Sequence, residues 1–415
     1  MQQPQKNIQE IKLHNGITLI TIENPTTEII AGKIFCRNAG GLWEANHQAG
    51  IFHLLASVMS KGTRNLSSLE IADKVESMGA GLGTDATSDY FVVGLKTITE
   101  DFLTIFKLAG EILRYPSLPE KELELEKKIT LQNILSQKEQ PFNLAFRQLR
   151  EMMYGKHPYG FSILGTSQTV DSLTVDDLRS VHEQYIRPDN LIISLAGKIT
   201  SEQAKKYVEE VFGDWQIPQG DSTPHDRHQL SAQGGYEHLE QATQQSIIML
   251  GFLAPEFSHA DYPVFKLLTT YLGSGLSSRL FVELREKRGL AYDVSAFYPT
   301  RIDRSQFVSY MGTAPSNLTT AKDGLMNEIH RLQEQLLSTE ELETAKSKLL
   351  GQYALGKQTN AEFAQLYGWY ETLGAGIDYD QVFPEQIKAI TKEDIQRIAR
   401  QYLDSKLMHT SIVGP

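Results

Sequence analysis

The chain has 415 residues, of which 40% are apolar and 22% charged, with a formal net charge of −11 and a pI near 5.5. That length exceeds one core of ordinary size, so two domains are expected. The acidic balance argues against nucleic acid or an anionic membrane surface as a partner, since both want a basic face. No apolar run is long enough to span a bilayer.

The first stretch, "MQQPQKNIQEIKLHNGITLI", is polar and then alternates. It shows no cleavable apolar core, and the expected location is the cytoplasm. Residues 8–22 and 28–36 read as strands. Cys36, the only cysteine, reads as a small buried residue; alone, it excludes an internal disulfide and a thiolate metal cluster. Helices are predicted over 48–60 and 67–78, and an alternating strand over 82–96. Helices fill roughly 100–155, another covers 173–186, and a strand closes the run at 190–196.

The second half repeats the first. "LTVDDLRSVHEQYIRPDNLIISLAG" (173–197) aligns without a gap on "ITKEDIQRIARQYLDSKLMHTSIVG" (390–414) at an offset of 217. Both read as a Thr N-cap, an acidic first turn, an amphipathic helix through Tyr185 or Tyr402, and a short strand. "LPEKELELEKKITL" (118–131) matches "LSTEELETAKSKLL" (337–350) at an offset of 219, and "IIAGKIF" (29–35) resembles "IIMLGFL" (247–253) close to that register. Three matches in one order point to two copies of a domain of roughly 200 residues. Strands grouped apart from helices make each copy α+β, a sheet with helices packed on one face. The first domain is expected over 1–212 and the second over 236–415. The Gly-, Pro-, Ser- and Asp-rich stretch 213–235 reads as the linker, with His225 and His228 as solvated loop residues.

The stretch "GIFHLLASVMSKGT" (50–63) has the apolar spacing of a helix with His53 on it. An inverted zinc protease reads H-x-x-E-H at such a place. Here Ala56 stands at the Glu position and Ser57 at the second His position. In the second half, "LSSRLFVELREKRGLAYDVSAFY" (276–298) reads as a helix ending near Lys287, a Gly289 C-cap, and a strand from Ala291. Arg285 and Tyr292 then lie either side of the turn, where both can donate hydrogen bonds to a carbonyl or to the oxyanion that grows from it. The plain alternative is a solvated helix end and a half-buried strand aromatic. "YLGSGLSSRL" (271–280) lacks the rest of a phosphate-binding fingerprint and reads as plain turn chemistry.

With "LHNGITLI" (13–20) and "HPYGFSILGT" (157–166) added, this set resembles the pitrilysin family of inverted zinc peptidases, in the two-domain form of processing peptidases. The resemblance implies a duplicated α+β fold. It sets His53, Ala56 and Ser57 at the positions of the first ligand, the general base and the second ligand. With Glu126 aligned to the Glu that begins the family's corresponding helix, the third ligand position falls on Asn133. One imidazole beside Ala, Ser and Asn is not a zinc ligand set, so no cofactor is expected on this chain. In active relatives an Arg and a Tyr at the spacing of Arg285 and Tyr292 complete the site opposite the zinc helix. In split relatives two similar chains divide these parts. The resemblance therefore implies a non-catalytic subunit, inactive alone, whose partner is a homologous chain bearing H-x-x-E-H and zinc, and whose substrate is a peptide. It also implies that "GAGLGTDATSDYFVVGL" (79–95) borders an edge where peptide adds as a strand. The alternative is a catalytically inactive scaffold or peptide-binding homologue, which has no need of the Arg/Tyr pair. A self-sufficient hydrolase would need a Ser/His/Asp or Cys/His arrangement, and none is apparent.

Overall fold

A computed structural model describes residues 7–220, 230 and 233–415. The first half runs β1 (Asn7–Lys12), β2 (Thr18–Glu23), β3 (Ile29–Cys36), α1 (Ile51–Met59), α2 (Ser68–Ser77), β4 (Gly81–Ala86), β5 (Phe91–Ile98), α3 (Phe102–Arg114), α4 (Glu120–Glu139), α5 (Pro141–Tyr154), α6 (Ser167–Ser172), α7 (Val175–Tyr185), β6 (Leu191–Gly197) and α8 (Ser201–Phe212). The second runs β7 (Gly235–Glu240), β8 (Ser246–Ala254), α9 (Tyr262–Gly273), β9 (Asp293–Phe297), β10 (Ser305–Thr313), α10 (Leu318–Glu334), α11 (Thr339–Leu355), α12 (Asn360–Thr372), α13 (Tyr379–Ala389), α14 (Lys392–Tyr402) and β11 (His409–Gly414). None of these helices is long and apolar enough to cross a membrane.

Turn chemistry explains where the broad sequence segments divide. The predicted strand 8–22 is the β1–β2 hairpin, turned where the amide of Gly16 donates to the carbonyl of Leu13. The strand 82–96 is the β4–β5 hairpin. Its corner is held by the Thr87 hydroxyl, which accepts from the amides of Asp89 and Tyr90. The helical stretch 100–155 is three helices, the last opening at Pro141, a residue suited to a first turn.

The two sheets share one topology. The first has the order β1-β2-β6-β3-β5-β4 and the second β7-β11-β8-β10-β9. In each, the closing strand pairs in parallel with one neighbour (β2 with β6, β7 with β11) and antiparallel with the other (β3 with β6, β8 with β11). β1 is the extra strand. Side chains repeat as well. Lys127 donates to Glu124 at 2.9 Å and to the carbonyl of Asp171 at 3.2 Å. Lys346 donates to Glu343 at 3.1 Å and to the carbonyl of Lys388 at 2.9 Å. Thr174 and Thr391 each close a capping box with an Asp three residues on, worth about 1 kcal/mol apiece. The fold is thus a duplicated α+β unit.

The compact units are not the contiguous chain halves. One gathers Met1–Ile134, Ser162–Arg227 and Gly356–Asp378, the other Leu135–Phe161, His228–Leu355 and Tyr379–Pro415. Each half therefore lends one helix to the other's sheet. In the first unit, alternate residues of β2, β3 and β6 (Leu19, Ile34, Ile193) join the core under the unit's own helices. The intervening residues Ile20, Ile22, Phe35 and Ile192 pack on Phe363, Ala364 and Tyr367 of α12. The sheet is covered on both faces, so nearly every residue of β2 and all of β6 are buried rather than alternate ones. In the second unit α5 lies on β8 and β11, where the Ser411 hydroxyl donates to the carbonyl of Ala145 at 2.8 Å.

Of the expected linker 213–235, residues 221–229 and 231–232, with His225 and His228, lie outside the described residues. Its first part stays on the first unit. Arg187, clamped by Asp189, donates to the carbonyls of Gly220 at 2.9 Å and Pro218 at 3.2 Å.

Candidate functional site

Helix α1 is held by its apolar side chains. Phe52, Leu54, Leu55, Val58 and Met59 are fully buried. Its first turn has no side-chain N-cap of the usual kind. Instead the Glu44 carboxyl, six residues upstream, accepts from the amides of Gly50 at 2.9 Å and Phe52 at 3.0 Å. Part of Glu44 remains exposed, but its carboxyl is enclosed, and burial pushes its pKa up to about 8 against the pull of those two amides.

The three residues of interest on α1 already have partners within the fold. His53 Nε2 lies 3.2 Å from Thr130 Oγ1 on α4. The Ser57 hydroxyl donates to the carbonyl of His53 at 3.0 Å, so it turns back on its own helix. The carbonyl of Ala56 accepts from Thr84 Oγ1 of β4 at 2.6 Å. Burial lowers the pKa of His53, while the charges of Asp85 and Glu126 raise it less, so the neutral ring is favoured. On α4, Glu126, Thr130 and Asn133 fall at i, i+4 and i+7, one helical stripe. Glu126 is paired with Lys61 at 3.1 Å. Asn133 is exposed, and among the described residues its side chain has no hydrogen bond.

Zinc wants three or four nitrogen, sulfur or carboxylate ligands. His53, Ala56, Ser57 and Asn133 supply one imidazole, a methyl group, a hydroxyl spent on the backbone and a neutral amide. They do not fit the metal. Among the described residues no group of three or more His, Cys, Asp or Glu is placed to hold one. Thr130 and Thr84, the residues that meet the helix, had no motif of their own. The only signal for Thr130 was its place one turn beyond Glu126.

In the second unit, residues 281–286 form a π-helical turn where an ordinary helix end was expected. Its signature is the bond from the Lys287 amide to the carbonyl of Val282, five residues back. Such turns recur at functional sites. Gly289 follows at φ +62°, a left-handed value that suits glycine. The amides of Gly289 and Leu290 donate to the carbonyls of Arg285 and Leu284. The chain then enters the sheet, the Tyr292 amide donating to Gly312 at 2.8 Å. The Arg285 guanidinium lies 5.0 Å from the centre of the Phe281 ring, a contact that braces its stem. Arg285 is exposed and Tyr292 is 56% exposed. Among the described residues neither polar head has a hydrogen-bond or ion-pair partner, and no hydrogen bond joins the two.

Residues 19–167 match the family described as "Insulinase (Peptidase family M16)", and residues 172–349 match "Peptidase M16 inactive domain". The chain belongs to peptidase family M16. Similar proteins include an uncharacterized zinc protease of Bacillus subtilis, 27% identical over 95% of each chain. Another is an uncharacterized zinc protease of Rickettsia bellii, 26% identical over 99% of this chain and 98% of its own. Among solved structures, a peptidase M16 inactive domain from Pseudomonas fluorescens superposes with a TM-score of 0.92 at 23% identity, covering 99% of this chain and 98% of that one. A protease from Helicobacter pylori gives 0.92 at 20% identity over 99% and 100%. At these identities the likeness to the solved structures is one of fold. The M16 fold is the duplicated α+β architecture described above.

Proposed function

We propose that this chain is the non-catalytic subunit of a two-chain M16 zinc peptidase, and that Arg285 and Tyr292 are its contribution to a shared site. A homologous H-x-x-E-H-bearing chain supplies zinc, its ligands and the base, and a peptide is the substrate. The observation that carries this reading is a contrast. On α1 the polar groups at the metal positions are spent inside the fold, whereas the guanidinium and phenol of Arg285 and Tyr292 are exposed, their donors unused among the described residues. Donors held ready in this way act on charge that develops at a carbonyl oxygen. A cytoplasmic location belongs to the same proposal.

A second reading rests on β4. Among the described residues it is an end strand, paired only with β5, and the space beside Gly81 and Gly83 is open. Such an edge suits peptide addition through main-chain hydrogen bonds in a protein with no catalytic role. Mixing the purified chain with a zinc-bearing relative from its own organism separates the two. The subunit reading expects each chain to be inactive alone and the mixture to cleave a quenched peptide. Peptide binding without any gain of cleavage favours the second reading.

A further inference from the structure

The duplication carries the surroundings of α1 to a second place. In the first unit Thr84 of the end strand β4 donates its hydroxyl to the carbonyl of Ala56. In the second, Ser295 of the corresponding end strand β9 donates to the carbonyl of Gly273 at 2.8 Å. Gly273 therefore stands where Ala56 stands, Ser274 matches Ser57, and Thr270 matches His53. On the long helix, the offset that relates Lys127 to Lys346 carries Asn133 to Gln352. Gln352 Nε2 donates to Ser274 Oγ at 3.0 Å, so these two positions meet directly.

Beside them is a cavity of about 220 Å³ whose lining includes Thr270, Tyr271, Ser277, Thr344 and Lys348. The Lys348 ammonium donates to the carbonyl of Ser274 and to Ser277 Oγ, the latter at 3.1 Å. Both acceptors are neutral, and among the described residues no carboxylate lies within ion-pair distance of this ammonium. Glu341, also on the wall, is spent. It accepts from Tyr271 at 2.8 Å and from the amide of Ser338 at 2.8 Å, and it pairs with Arg331 at 3.3 Å. Glu340, exposed in the first turn of α11, also lines the cavity, eight residues and so about 12 Å along the helix from Lys348. At its Lys348 end the cavity thus presents one uncompensated cation among hydroxyl groups. A carboxylate answers that set, because an ammonium-to-carboxylate bond is about twice as strong as a neutral one and hydroxyls add donors.

We propose that this cavity binds a ligand carboxylate, held by Lys348 with Ser277 and Thr344 beside it. The carboxylate of a peptide comes from its C-terminus or from a Glu side chain, and the experiment separates them. The cavity belongs to this chain alone, so its test needs no partner and stands apart from the subunit reading. The full chain is titrated, by fluorescence anisotropy, with three labelled forms of one short neutral peptide: free C-terminus, C-terminal amide, and C-terminal amide with one internal Glu. One or both acids should bind, with the plain amide at least tenfold weaker. The tighter acid names the source. Lys348→Met should weaken acid binding at least tenfold, Lys348→Arg should keep most of it, and added salt should weaken it in the wild type. Equal binding of all three peptides, undiminished binding to Lys348→Met, or no binding of either acid overturns the proposal. If Lys348→Met does not fold, salt-independent binding of the acids to the wild type overturns it equally.

Discussion

The imidazole of His53 lies 3.2 Å from the hydroxyl of Thr130. That contact joins α1 to α4 at the place where, by the family resemblance, a metal would join them. A weak neutral hydrogen bond and the apolar packing of α1 hold the two helices together instead. The side chains of α1 that the fold buries are its apolar ones.

The purified, untagged chain is expected to hold no stoichiometric zinc after dialysis, as measured by elemental analysis. The triple change Ala56→Glu, Ser57→His, Asn133→Glu should bind about one zinc per chain, because Glu126, Thr130 and Asn133 share the stripe that faces His53. A folded triple variant that takes up no zinc would show that Asn133 is not the third position.

Packing of α1 should dominate stability in its region. Leu55→Ala removes a fully buried side chain and should cost about 2–5 kcal/mol. Leu69→Ala, on a residue 80% exposed, should change stability by no more than about 0.5 kcal/mol. Urea unfolding of both variants beside the wild type is the check.

Glu44 should make stability depend on pH. Its folded-state pKa, about 8, lies above the ordinary carboxyl value of roughly 4.3. The native state then binds the extra proton between these limits. Its contribution is fully present below about pH 4 and is lost as pH rises through about 8. The difference in unfolding free energy between wild type and Glu44→Gln should therefore move against the wild type from pH 5 to pH 8.5. A difference that stays constant over that range would mean that the carboxyl is ionised throughout.

Much of this arrangement was legible before any coordinates. The Thr174 and Thr391 caps, the closing strands β6 and β11, and the apolar spacing of α1 all carry local signals, and local signals survive in sequence. The exchange of α5 and α12 between sheets was not legible. An apolar stripe such as Phe363, Ala364 and Tyr367 tells that a helix is buried, and it does not tell against which sheet. The π turn at 281–286 was also hidden, since residue spacing does not show that the Lys287 amide reaches the carbonyl five residues back rather than four. Nor does spacing alone show that Ser57 spends its hydroxyl on the carbonyl of His53, or that Arg285 leans on Phe281. Those facts depend on side-chain direction.

The most direct test of the central claim is steady-state cleavage of a quenched peptide by this chain mixed with its zinc-bearing relative, with Arg285→Ala and Tyr292→Phe compared to wild type. Complex formation is checked separately by gel filtration. The account predicts that each substitution leaves the complex intact and lowers kcat on the order of 10²–10³-fold, with a smaller effect on substrate binding, because the donors act on charge present only in the transition state. Arg285→Lys should also be poor, since an ammonium lacks the planar fork. Intact complexes of both variants that turn over at the wild-type rate would contradict it.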